Sequence, residues 1–298
     1  MIKRTLYFGN PCSLHSRLEQ IQIRFPEQTD HHTVPIEDIG VVVLDHPQIM
    51  VSHSLIAKLL QNNVALITCN ETHHPTGLML NLDGNTLQSQ KFRAQLDASK
   101  PLLKQLWQQT IISKIENQAT LLKSIGVETG NMIRWASEVR SGDTGNKEAR
   151  AAVYYWGKLF HKLPWFKRER FGEPPNHILN YGYAILRAVV ARSLVASGLL
   201  PTLGIFHRNQ YNAYCLADDL MEPYRPFVDR IVYRMVEEDR HELELNKELK
   251  AELLQIPVLD VLIDGQKSPL MVAVQRTTAS LSRCFEGESR KLVYPSLK

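Results

Sequence analysis

The 298-residue sequence predicts an α+β fold: a small N-terminal β-rich, β-sandwich-like domain at residues 1–85, then a larger all-helical domain at residues 86–298. Two observations predict it. Up to about Asn85, apolar residues alternate with polar ones or gather in short runs, the pattern of strands. After the turn signal Asn81-Leu-Asp-Gly-Asn85, apolar residues recur every three or four positions, at Leu102, Leu106, Trp107, Ile111, Ile115, Leu121, Leu122 and Ile125. That is the period of a helix with one buried face. Strands first and helices afterwards, without alternation, argue against a Rossmann-type sheet.

Taken in order, Thr5-Leu-Tyr-Phe8 is a short apolar run closed by Gly9-Asn10-Pro11. Within Leu14–Phe25 the end alternates, with Ile21, Ile23 and Phe25 on one face and Gln22 and Arg24 on the other. Gly40–Asp45 predicts a fully buried strand, Val51–Leu60 a helix, and Val64–Cys69 another strand. Beyond residue 86 strand patterns are scarce, and Gly142, Gly145, Pro164, Pro174, Pro175, Pro201 and Gly265 divide the chain into helices of ordinary length. One opens at Asn146, a good N-cap residue, and places Glu148 in its first turn, where the helix dipole favours a carboxylate. Another runs from Asn176 to about Ser197; Gly182, Ala184, Ala188 and Ala191 make one side small, suited to tight packing, and Asn180 and Arg187 are placed to reach a site. The run Val236–Glu244 reads as a solvated face.

Composition narrows the class. Apolar content of 44% and charged content of 22% are those of a soluble globular protein. A net charge of +4 is too small to argue for a nucleic-acid partner by itself, so arginine placement must carry that case. The basic start lacks a signal peptide's apolar run, and no eighteen uninterrupted apolar residues suggest a membrane span. Cys12, Cys69, Cys215 and Cys284 form no C-x-x-C pair and read as free thiols, consistent with a cytoplasmic location.

Chemistry concentrates in Leu203–Asp229. His207, Asp218, Asp219 and Glu222 lie there among apolar residues, with Arg208, Arg225 and Arg230 close by. Burying such groups unpaired costs several kcal/mol, so the cluster binds a metal, forms ion pairs, or both. A lone histidine is more often a hydrogen-bonded core residue, and Glu148 alone is explained by its helix. Glu222 precedes Pro223, which biases it away from helical backbone, with the helix starting at Pro223. Together, two carboxylates and an imidazole fit a divalent ion acting on phosphate oxygen. Asp218 and Asp219 are alternative ligands; capping, or pairing with Arg225 or Arg230, is the favoured role. No P-loop, G-x-G-x-x-G, H-E-x-x-H or G-x-S-x-G motif offers another chemistry.

Four segments carry a family resemblance: Gly145-Asn-Lys-Glu-Ala-Arg-Ala-Ala152, Leu179-Asn-Tyr-Gly-Tyr-Ala184, Gly198-Leu-Leu-Pro-Thr-Leu-Gly-Ile-Phe-His-Arg208 and Leu216-Ala-Asp-Asp-Leu-Met-Glu-Pro-Tyr-Arg-Pro226. In this order they resemble the CRISPR-associated (Cas) integrase family, metal-dependent DNA endonucleases that insert spacers into CRISPR arrays. The wording around His207 is most similar to the type II branch. The resemblance spans essentially the whole chain and implies a metal triad of Glu148, His207 and Glu222, with Mg²⁺ or Mn²⁺ as cofactor. It implies double-stranded DNA as substrate, attacked by the 3′-hydroxyl of an incoming fragment; on that chemistry Lys147, Arg208 and Arg225 are the expected phosphate contacts, with Asn180, Asp218 and Asp219 as expected supporting residues. It further implies a homodimer joined through the N-terminal domains, a small ferredoxin-like CRISPR-associated partner dimer, and the type II effector nuclease as an additional partner. The alternatives are a non-catalytic DNA-binding scaffold of the adaptation complex and a general branched-DNA repair nuclease.

Overall fold

Short strands build the first part of the chain. The computed structural model describes residues 3–26, 28, 31–240 and 244–298. It contains β1 (Arg4–Phe8), β2 (Cys12–Arg17), β3 (Gln20–Arg24), β4 (His31–Pro35), β5 (Ile39–Leu44), β6 (Ile49–Val51), helix α1 (His53–Gln61), β7 (Ala65–Cys69) and β8 (Pro75–Met79). One sheet has the order β1-β5-β7-β8 and the other β4-β3-β2-β6. Strand alternation makes the first sheet a middle layer. Val41, Val43, Ala65 and Ile67 face the helical core, whereas Val42 and Leu66 pack in a separate cluster with Leu14, Ile21, Leu55 and Leu59 of the second sheet and α1. β1, β5 and β7 run parallel. The long connections that parallel pairing requires are β2 to β4 in one case and β6 with α1 in the other.

The single strand expected near Ile21–Phe25 is instead half of a hairpin: β2 and β3 pair antiparallel, Leu14 opposite Ile23, and Phe25 lies beyond the strand end. Leu18 and Glu19 make the turn with φ of 49° and 57°. Such a turn ordinarily announces itself through Asn-Gly or Asp-Gly, so these two residues gave no signal.

The rest is chiefly helical: α2 (Gln88–Leu96), α3 (Lys100–Ser124), α4 (Gly130–Ser137), α5 (Lys147–Leu159), α6 (Asn176–Ala196), α7 (Cys215–Met221), α8 (Arg225–Glu237), α9 (Lys247–Leu253) and α10 (Leu270–Phe285). α6 is long and apolar enough to cross a membrane by length and composition, yet 83% of that window is buried within the fold, as in a core helix. The small face foreseen for it is used: a Cβ on Gly182 would meet Val228 Cγ1 of α8 at 2.6 Å. The helical region also holds a hairpin that was not expected, β9 (Asp260–Ile263) with β10 (Gln266–Pro269). Gly265 therefore does not separate helices; Asp264-Gly265 is the hairpin turn, with φ of 49° and 73°. Of the run Val236–Glu244, Val236 is buried, Glu238 and Asp239 are exposed, and residues 241–243 lie outside the described residues. All four cysteines are free.

A buried ion pair ties strands to helices. Asp45, at the end of β5, accepts from Lys250 Nζ of α9 at 2.8 Å and from the Tyr7 hydroxyl at 2.6 Å, with His73 Nδ1 at 2.9 Å.

Candidate active site

The buried stripe of α3 reads Leu106-Trp107, Thr110-Ile111, Lys114-Ile115, Asn117-Gln118, Leu121-Leu122, pairs three or four residues apart. Lys114 thus points inward by register. Its Nζ lies 2.6 Å from Glu148 Oε1 and 2.6 Å from Glu222 Oε2, so one ammonium joins both glutamates.

Each glutamate is placed by a local device. α5 starts on Asp143, a buried carboxylate that accepts from the backbone N–H of Lys147 and of Glu148, both at 2.9 Å. The capping expected of Asn146 does not occur: that residue is left-handed, at φ 49°, and its side chain makes no cap. Its role is to turn the chain so that Asp143 reaches over. Glu222 follows α7 and begins a single 3-10 turn, Glu222–Tyr224. Its φ of −53° and ψ of −47° are helical despite the following proline, so the expected break before Pro223 is absent. Asn117, buried on α3, fixes this turn against α3 by donating from Nδ2 to the carbonyls of Pro223 at 2.7 Å and Pro295 at 3.0 Å. Arg225 Nε donates to Glu222 Oε1 at 2.8 Å while its guanidinium lies 4.6 Å from the Tyr183 ring centroid. Burial pushes the Glu222 carboxyl up, but Arg225 and Lys114 outweigh it and hold the group at about 2.

His207 sits on the connection between α6 and α7. The chain is packed so closely at Gly204 that a Cβ there would run into the His207 carbonyl and meet Asp219 Oδ2 of α7 at 2.7 Å. Asp219, fully buried on α7, accepts from Phe206 N–H at 2.8 Å and bonds His207 Nδ1. Phe206 stacks on Trp107 of α3 with centroids 4.3 Å apart, and the His207 ring meets Trp107 edge-on at 5.5 Å. The imidazole is anchored through Nδ1 with half its side chain exposed. Its bond to Asp219 raises its pKa, against the lowering effect of burial, and the field of Glu222 and Glu148 adds to the rise.

The remaining candidates divide. Asp218 pairs with Arg187 at 2.6 Å and accepts from Asn212 at 2.7 Å. Neither aspartate pairs with Arg225 or Arg230 as expected: Arg225 is taken by Glu222, and Arg230 donates to the Lys298 carbonyl. Adjacent helical residues point about 100° apart, which is why Asp218 and Asp219 serve different partners. Asn180 accepts from Arg168 at 2.8 Å and donates to the Arg170 carbonyl, so it braces the segment before α6 without touching the glutamates or His207. Lys147 pairs with Glu138. Arg208 is exposed beside His207, with no ion pair among the described residues. Lys114, Asn117, Trp107 and Asp143 are additional parts of the site. The spacing of Lys114 between the apolar positions Ile111 and Ile115 was the one faint sign of it; the others carry none distinguishable from ordinary core and capping residues.

Among the described residues, no three His, Cys, Asp or Glu side chains are drawn together closely enough to hold a metal ion. The glutamates share an ammonium and the imidazole stands beside them. The donor chemistry nevertheless fits a hard divalent cation: two carboxylates, and an imidazole whose Nδ1 is held by a carboxylate so that Nε2 is left for a ligand.

Residues 6–255 match the family described as CRISPR associated protein Cas1. The chain belongs to the Cas1 family. A Cas1 relative, the CRISPR-associated endonuclease Cas1 of Neisseria meningitidis serogroup C (strain 8013), is 38% identical over 286 residues, 94% of this chain and 91% of the relative. A Cas1 protein from Thermotoga maritima has a similar structure, with TM-score 0.76 at 16% identity, over 99% of this chain and 100% of that one. A casposase bound to integration product gives TM-score 0.77 at 19% identity, over 98% and 92%. These likenesses show the fold: a strand-rich N-terminal part followed by a helical part is the Cas1 arrangement, as the sequence led one to expect.

Proposed function

We propose that this Cas1 chain is a metal-dependent DNA endonuclease and integrase of CRISPR adaptation. The observation that carries the proposal is the convergence of Glu148 and Glu222 on one cation beside a histidine oriented by a buried aspartate. Glu148, Glu222 and His207 Nε2 would hold Mg²⁺ or Mn²⁺, which when bound supplies Lewis acidity that polarises a phosphodiester and stabilises the charge developing on it. Asp219 fixes the tautomer and direction of the His207 ring. Trp107, fully buried, backs the site, and Phe206 stacks on it beside the His207 ring. Arg208, exposed and beside His207, meets the DNA backbone; Lys147 joins it on leaving Glu138. Arg225 stays on Glu222 and acts on the phosphate through the local field. The 3′-oxygen of the incoming fragment bonds to phosphorus as the target strand's own 3′-oxygen leaves with a proton; water in place of that hydroxyl gives hydrolysis.

The expected assembly is a homodimer on double-stranded DNA, with a small ferredoxin-like partner dimer and, in the type II reading, the effector nuclease. A strand-transfer assay with labelled DNA ends, a repeat-leader target and the partner protein tests the activity. Wild type gives joined product with Mg²⁺ or Mn²⁺ and none with EDTA, and Glu148→Gln gives none in either. Product that persists in EDTA overturns the metal requirement, and DNA binding without product under every condition establishes a scaffold. Equal turnover of repeat-leader and generic branched DNA establishes a repair nuclease instead.

A further inference from the structure

Glu148 and Glu222 contribute two negative charges to the centre of the site, and Lys114 and Arg225 contribute two positive ones. The cluster is neutral before anything binds. A divalent ion entering this set would leave it strongly positive, with Lys114 and Arg225 repelling the newcomer at short range. Two changes relieve that repulsion: one resident cation moves away, and an anion arrives. Arg225 is the less free to move, since its guanidinium is bonded to Glu222 and stacked on Tyr183. Lys114 is a compact ammonium on a flexible four-carbon stem and stands between the two carboxylates. DNA phosphate is the anion at hand.

We propose that Lys114 is an internal counter-cation that a divalent ion must displace from Glu148 and Glu222, so that metal and DNA phosphate enter the site together. The inference rests on the metal-dependent reading above and adds a coupling to it. Lys114 is a positioning residue: it keeps the carboxylate pair together and discharged in the resting protein, and it makes metal binding conditional on substrate. The coupling is reciprocal, so metal strengthens DNA binding by the factor with which DNA strengthens metal binding.

The test is calorimetric titration of Mn²⁺ into the full chain, alone and saturated with a short duplex, for wild type, Lys114→Met, Lys114→Arg and Glu222→Gln. DNA tightens Mn²⁺ binding by wild type about tenfold, within the usual range of coupling between sites. Without DNA, Lys114→Met binds Mn²⁺ about tenfold more tightly than wild type does, and DNA then adds little. Lys114→Arg, which keeps the charge, behaves as wild type. A gain in affinity cannot come from structural damage, and Lys114→Gln, which keeps a hydrogen-bond donor without the charge, replaces the methionine variant if that one does not fold. Wild type and Lys114→Met binding Mn²⁺ equally, or the variant more weakly, overturns the role of Lys114 and leaves the metal site standing. No Mn²⁺ binding by wild type, Lys114→Met or Glu222→Gln, with or without DNA, removes the metal site and this inference with it.

Discussion

Asp229 shows how neighbours and burial divide control of a single carboxyl group. It lies on α8, accepts from the Tyr155 hydroxyl at 2.7 Å and from Tyr183, and is pushed up by burial to about 6 despite those bonds and the nearby Arg225 and Arg168. Because the folded group keeps its proton to higher pH than the unfolded one, the associated stability is present at acid pH and lost as pH rises through about 6. The advantage of wild type over Asp229→Asn in urea unfolding should therefore shrink, by up to about 3 kcal/mol, between about pH 4 and about pH 7. A difference independent of pH would contradict this account. Glu222 behaves oppositely, held at about 2 by Arg225 and Lys114 against its burial. The sequence displayed His207 and Glu222 as candidates, because acidic and imidazole groups beside apolar residues stand out; Glu148, explained by its helix alone, was singled out by the family resemblance. Lys114 and Asn117 were hidden in a helical stripe, where only the three-dimensional register shows what they face.

At the scale of elements, α5 is the test of local reasoning. Its Asn146 suits an N-cap, yet the chain turns left-handed there and Asp143, three residues earlier, holds both first-turn N–H groups. Asp143→Ala should cost about 1–2 kcal/mol in chemical denaturation, as caps do, and loosen the start of the helix that presents Glu148. Asn146→Gly should fall within a few tenths of a kcal/mol of wild type, since glycine adopts the same backbone freely. The reverse ranking would restore Asn146 as the cap. The hairpins make the complementary point. Asp264-Gly265 carried a legible turn signal that was read as a helix break, whereas Leu18-Glu19 carried none and is held left-handed by the pairing of β2 with β3.

Across the whole molecule, the strand-then-helix order was legible because a change of apolar period from two to three or four is a long-range signal. The parallel pairing of β1, β5 and β7 was not, since it depends on which distant strands meet. What joins the two regions is also invisible in sequence: Asp45 and Lys250 are 205 residues apart and both buried. Lys250→Met leaves the Asp45 carboxylate without its cation and should cost about 3–5 kcal/mol, much of it recovered in the double variant with Asp45→Asn. Equal stability of the single and double variants, measured by urea unfolding, would show that the pair does not tie the regions together.

The most direct measurement is integration of short duplex DNA into a repeat-bearing supercoiled plasmid, with the partner protein and Mn²⁺, by wild type beside His207→Ala. Both proteins should bind DNA alike, because His207 is anchored by Asp219 at the edge of the site and carries no fold-defining contact beyond Trp107 and Phe206. Wild type alone should give integrated product. Equal product from both would contradict the assignment of His207, and with it the proposed centre.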